Sequence, residues 1–243
     1  MKKTLLEIVQ QILSDLDSEN VNSLSDSVEA LQIAYIVEQT FYDLIATRDI
    51  PEHESLIKLT AASNTDTPTH FTVPTNVKKI TDIWYDVSDA GIFSYSELLW
   101  VDPKEFLSRV DSRSSDYTNV SDTDAGTNLR ITNNRPPSFY TSFNDTTIVL
   151  DSHKATIDTT LQESKTRAFG VTYPTFSISA TYTPDLDAAM FPLLIQESKS
   201  RAFSTLKGGV DQKIEQAARR QKVYVQNDKR KLGLYSKLRN YGR

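Results

Sequence analysis

Apolar residues fall at helical spacing near both ends of the chain and in short alternating runs between them. From residue 4 to 17, Leu5, Ile8, Val9, Ile12, Leu13 and Leu16 recur at i, i+3 and i+4, which predicts an amphipathic helix. The polar stretch Asp17 to Ser25 reads as a loop. Asp26 stands where an N-cap would, with Glu29 at the reciprocal capping-box position, and the next helix runs to about Thr47, before Pro51. On it Leu31, Ala34, Phe41 and Ile45 form one face, and Ile33, Val37 and Leu44 a nearly opposite one. Such a helix needs partners on two sides. It is either central in a bundle or shared with a neighbouring subunit.

From about Leu56 to Tyr182 the chain is rich in Thr, Ser, Asn, Asp, Val and Ile. Candidate strands are 55–61, 69–73, 77–87, 93–99, 129–133, 138–143, 146–151 and 159–182. Pro68, Pro74, Asp89-Ala90-Gly91 and Pro136-Pro137 punctuate them. Asp102-Pro103 can start a short helix at 103–110, and the polar residues 111–128 read as an exposed loop. This middle region reads as an antiparallel β domain.

Helical signals return at Thr183-Pro184, a cap with Pro at the first helical position, or, because of Pro192, nearer Met190; Phe191, Leu194, Ile195, Ala202 and Leu206 then follow helical spacing. Gly208-Gly209 ends that helix. A more polar one follows over 211–226, with Ile214, Ala217, Ala218 and Tyr224 as its weak stripe. Residues 227–243 have charge but little periodicity and are expected to be extended in isolation. One octapeptide occurs nearly twice: Gln162–Phe169 is QESKTRAF and Gln196–Phe203 is QESKSRAF. The first copy falls in a strand region and the second in a helix, and two copies are too few for a solenoid.

Composition narrows the chemistry. With 243 residues the chain can bury a sizeable core. Cysteine is absent, which excludes disulfide scaffolds, zinc–thiolate sites and cysteine nucleophiles. The seven glycines form neither GxGxxG nor GxxxxGK. His53, His70 and His153 make no HExxH or H-x-H pair and read as surface or loop histidines. Asp122-Thr123-Asp124-Ala125-Gly126 fails the calcium-loop pattern, since its fifth position is glycine and its twelfth is Asn133. No catalytic-serine signature occurs. The expectation is a non-enzyme with no cofactor and no metal. The amphipathic, glutamate-bearing start resembles neither a signal peptide nor a membrane span, so the protein is expected to stay inside the cell that makes it.

Charge is unevenly placed. The net charge is −5, yet from Lys199 to Arg243 thirteen Lys/Arg meet three Asp/Glu, giving +10 against −15 for the rest. Arg219, Arg220, Lys222, Lys229, Arg230, Lys231, Lys237, Arg239 and Arg243 are interleaved with Tyr224, Tyr235 and Tyr241. This end can be a solvated tail, a nucleic-acid contact or a protein-docking segment. The acidic body favours docking on an acidic protein surface first and nucleic acid second.

Several stretches in order carry a likeness: Leu5-Leu6-Glu7-Ile8-Val9, Asn20–Leu24, Phe41-Tyr42-Asp43, Arg48-Asp49, Thr160–Thr166, Pro184–Asp187, Glu197–Phe203 and Glu215–Gln221. With them the chain resembles the bacteriophage head-to-tail adaptors, the tail tubular protein A or gatekeeper family. The resemblance implies an α+β fold: a helical bundle built from the N- and C-terminal helices, an inserted antiparallel β domain and a basic C-terminal extension. The corresponding boundaries are 1–54, 55–182, 183–226 and 227–243. It further implies a homo-oligomeric ring, typically of twelve copies, in the virion neck. That ring would dock on the portal protein, extend the DNA channel and give a platform to a tail tube or nozzle protein. DNA would pass without sequence-specific binding, and no membrane is involved. The portal contacts expected are Arg219, Arg220, Tyr224, Lys229, Arg230, Lys231, Tyr235, Lys237, Arg239, Tyr241 and Arg243. The alternatives are another neck, head-completion or baseplate component that does not touch the portal, and a DNA-binding packaging factor.

Overall fold

The computed structural model describes residues 2–47, 49–62, 66–88, 92–112, 116–122, 126–154, 165–208 and 212–226. The fold is mixed α+β, and the chain divides into two units: Met1–His53 with Pro174–Arg243, and Glu54–Tyr173. Residues 227–243, read above as an extended tail, lie outside the described residues.

In the first unit, α1 (Leu5–Asp15) starts on a full capping box. The Thr4 hydroxyl accepts from the Glu7 N–H at 3.3 Å, and the Glu7 carboxylate accepts from the Thr4 N–H at 2.8 Å. For α2 (Val28–Thr47) the cap differs from the sequence reading. Asp26 instead accepts the N–H groups of Asn22 and Ser23, both at 2.8 Å, and so closes the preceding turn. Ser27, one residue on, takes the Ala30 N–H at 3.1 Å. The two supposed faces of α2 are one. Ala30, Ile33, Ala34, Val37, Phe41, Leu44 and Ile45 form a single broad buried arc, and Leu31 lies outside it.

That arc packs against α4 (Phe191–Leu206) and α1, and α1 also reaches α4. Pro192 sits in the first turn of α4, where its missing N–H leaves no hydrogen bond unmade. Gly208, at φ 63°, follows the helix, in the left-handed conformation that glycine adopts without a Cβ penalty. The last helix, α5 (Gln212–Gln226), packs on α4 and buries Ala218. Ion pairs join the helices: Lys199 to Asp15 at 2.8 Å and Arg201 to Asp43 at 2.6 Å.

The second unit is an eight-stranded sheet in the order β1-β10-β4-β5-β8-β9-β3-β2. The strands are β1 (Glu54–Ile57), β2 (Thr60–Ala61), β3 (His70–Thr72), β4 (Val77–Asp86), β5 (Tyr95–Trp100), β8 (Phe139–Ser142), β9 (Thr147–Leu150) and β10 (Thr166–Thr172). The expected strand 55–61 is therefore two strands at opposite edges. Only three residue steps join Ile57 to Thr60, a reach of at most ~11 Å, so the edges lie close and the sheet curls on itself. Ile57, Leu59, Phe71, Ile83, Tyr85, Leu98, Leu150 and Ala168 fill its concave side.

Three further expectations are corrected. The sheet is not wholly antiparallel: β5 and β8 run parallel, Leu99 opposite Phe139. The intervening segment is long enough for such a crossover. It holds α3 (Pro103–Asp111), capped by Asp102 as anticipated, with the Lys104 N–H 3.0 Å from its carboxylate. The supposed loop 111–128 contains β6 (Tyr117–Ser121), which pairs with β7 (Asn128–Thr132) and buries Val120 against Phe106, Val110 and Val149. Of the expected strand 159–182, only β10 forms among the described residues. Beyond Thr172 the backbone turns into the other unit's hydrogen bonds, as where the Tyr182 carbonyl accepts the Leu5 N–H at 2.7 Å.

Candidate interaction surfaces

On α2, four large side chains remain in solvent: Val28 (74% exposed), Leu31 (38%), Tyr35 (48%) and Tyr42 (37%). Their spacings of three, four and seven residues keep them on one side of a 3.6-residue helix, as a stripe beside the buried arc. Tyr42 is fixed in place, its hydroxyl accepting the Phe176 N–H at 3.1 Å and its ring 5.7 Å from Phe41. Glu38 borders the stripe on one side, and Asp43, ion-paired with Arg201, on the other. No Lys or Arg occurs between Val28 and Thr47. The sequence reading missed this stripe because it assigned Leu31 to the core. The signal available was Val28, Leu31, Tyr35 and Tyr42 in a single helical register.

α5 presents the opposite charge. Arg219 and Arg220, expected at a partner contact, are both exposed. Arg219 pairs along the helix with Glu215 at 2.5 Å. Val223, one turn further on, is 57% exposed between them. Tyr224 lies in α5, but its side chain is outside the described set. So are Lys229, Arg230, Lys231, Tyr235, Lys237, Arg239, Tyr241 and Arg243.

The strand unit has its own half-buried aromatic cluster. Trp84 stands opposite both Arg167 and Glu97, and the Arg167 guanidinium lies 3.8 Å from the Tyr95 ring centroid. Beyond β4 the hairpin leaves Ile92 and Phe93 almost fully in solvent. Its base is ordered by Asp86, which accepts the Ser88 N–H at 2.9 Å. The Ser88 hydroxyl, with the Ser88 N–H, the Lys165 charge and the Tyr95 hydroxyl, holds the Asp86 carboxyl below the ordinary value of 3.8 against the opposing effect of burial.

The three histidines, expected at the surface or in loops, are all buried. The His53 ring meets the Asp185 carbonyl at 2.7 Å, and the main-chain N–H of His153 donates to the Thr132 carbonyl at 2.9 Å. Among the described residues no group of three or more His, Asp or Glu is placed to hold a metal ion, and no helix is long and apolar enough to cross a membrane. The chain matches no protein-family model and no curated protein sequence.

Proposed function

We propose that the protein is a structural virion component, a head-to-tail adaptor whose copies form a ring on the portal, extend the DNA channel and seat the tail. The observation that carries this reading is the joining of the two chain ends. α1 and α2 pack with α4 and α5 in one helical unit, while the strands between them form another. This supports the layout the family resemblance implies, with the N- and C-terminal helices as a bundle and the β domain inserted. Two further features support it. The exposed stripe on α2 suits a subunit that has neighbours. The acidic body with a basic end suits docking on an acidic partner.

Portal docking falls to the tail beyond α5. Lys229, Arg230, Lys231, Lys237, Arg239 and Arg243 act as charge partners for portal carboxylates, with Tyr235 and Tyr241 as anchors. Repetition around a ring makes many weak contacts act together. The −15 of the body lets DNA slide past without releasing counterions onto the protein.

The test is a mass measurement of the chain mixed with the portal ring of its phage. One copy gained per portal subunit, lost on deleting residues 227–243, is the expected result. No gain at moderate salt overturns the adaptor reading in favour of another neck or tail position. Strong, salt-sensitive DNA binding by the isolated chain would favour a packaging factor instead.

A further inference from the structure

The exposed faces of α2 and α5 are unlike each other and complementary. The α2 face is apolar and aromatic, bordered by Glu38 and by Asp43, whose carboxylate is held by Arg201 of α4 at 2.6 Å. The outward face of α5 carries Lys213, Gln216, Arg219 with its partner Glu215, Arg220 and Val223, while Ala218 on its other side is buried in the packing on α4. Arg219 and Arg220 precede Val223 by four and three residues, so the two guanidinium groups flank an apolar side chain.

With Asp43 held by Arg201 and Arg219 by Glu215, the α2 face keeps a net negative charge from Glu38 and the α5 face a net positive one from Arg220. The crossed contact therefore brings opposite net charges together, where two like faces would not. It also suits the side chains, because guanidinium planes stack on tyrosine rings, which lysine does less well. We infer that the α2 stripe of one copy seats on the α5 face of the next, with Arg219 and Arg220 against Tyr35 and Tyr42 and with Val223 against the aliphatic part of the stripe.

Such a contact is heterologous. Each copy keeps one free face of each kind, so association continues until a ring closes. The inference rests on the proposed ring for closure alone, and the contact itself needs no portal. It also separates two sets of cations: Arg219 and Arg220 serve the neighbour, and those beyond residue 227 the portal.

The test uses two full-length variants. Leu31→Asp/Tyr35→Asp spoils the α2 face, and Arg219→Glu/Arg220→Glu spoils the α5 face. All four positions are exposed, and an unchanged helical circular dichroism signal checks that each variant is folded. The parent chain should self-associate with concentration, less at high salt. Each variant alone should associate on the order of thirtyfold more weakly, the effect of removing a central contact. Mixed together they should form one-to-one dimers and nothing larger, because one good face of each kind survives. A parent that stays monomeric, a variant that associates like the parent, or a mixture that stays monomeric overturns the inference. Because the chain has no cysteine, Tyr35→Cys and Arg220→Cys chains provide a second readout. They should cross-link to each other and not to themselves, and self-linking alone would overturn the crossed contact. Dimers in the mixture without portal binding would sink the adaptor reading and leave this contact standing. Portal rings saturated equally by both variants would do the reverse.

Discussion

The Nε2 atom of His53 lies 2.7 Å from the main-chain carbonyl of Asp185, a residue 132 positions away. A carbonyl only accepts, so Nε2 carries the proton and donates it. The Asp185 carboxylate stands 4.0 Å from the same nitrogen, and the His53 ring meets Phe41 edge-on, with centroids 6.4 Å apart. This buried contact ties the end of the N-terminal segment to the chain leading into α4. His53→Leu keeps much of the packing and deletes the donor. It should cost about 1–3 kcal/mol, seen as an earlier denaturant midpoint by helical circular dichroism. An unchanged midpoint would show that the contact does not hold the helical unit together.

Gly170 lies at a bulge of β10, where the register against β4 shifts between Phe169 and Gly170. A Cβ there would collide with the Lys79 carbonyl oxygen and come within 2.9 Å of both Ile57 Cδ1 and Ile80 Cα. Backbone cannot step aside as the end of a flexible side chain can. Gly170→Ala should therefore destabilise the strand unit by about 3 kcal/mol. Both tryptophans, Trp84 and Trp100, belong to that unit, so their fluorescence isolates its unfolding. Coincident curves for variant and parent would refute the close approach.

Ser198 is fully buried in α4, and its hydroxyl has no hydrogen-bond partner among the described residues. A buried polar atom left unmatched costs free energy that a methyl group does not. Ser198→Ala should raise the stability of the helical unit by about 1 kcal/mol, helped by the better helix propensity of alanine. A clear loss of stability by calorimetry would mean that the hydroxyl is satisfied.

Tyr182 predicts an alkaline response. Burial, then the charges of Asp185 and Tyr42, push its phenol above the ordinary value of 10.0. The folded state thus holds a proton that the unfolded chain has begun to release. The stabilisation is complete below pH 10.0 and is lost as pH rises through the higher folded value. Tyr182→Phe should flatten the fall of stability above that pH. Parallel pH profiles for variant and parent would remove Tyr182 from the explanation.

Much of the helical unit was legible because its code is local. The stripe Leu5, Ile8, Val9, Ile12 and Leu13 is buried as its spacing predicted, and Asp102 caps α3 as its position before Pro103 predicted. The errors arose where neighbours in space decide. Leu31 has the spacing of a core residue, yet it lies outside the buried arc, 38% exposed. The polar run that contains β6 became a strand because β7 offered a partner and α3 a cover for Val120. The interaction surface was half legible. Charge marked Arg219 and Arg220, but only packing could show that Tyr35 and Tyr42 remain outside.

The near-duplicate octapeptide divides the two kinds of information most clearly. By itself the sequence determined helices at both ends, strands between them, an acidic body, a basic end and the absence of cysteine chemistry. The flanking pattern placed TRAF in a strand and SRAF in a helix, as they are found, although their local propensities are almost equal. Thr166–Phe169 lies in β10, where Thr166 and Ala168 are buried on alternate positions between β1 and β4. Ser200–Phe203 lies in α4, where Ser198 and Ala202 are buried one helical turn apart. Ala168 and Ala202 are equally inaccessible to solvent. A strand offered two hydrogen-bonding neighbours takes a period of two. A segment packed beside α1 and α2 takes a period of 3.6, so tertiary structure settled a choice that local sequence leaves balanced.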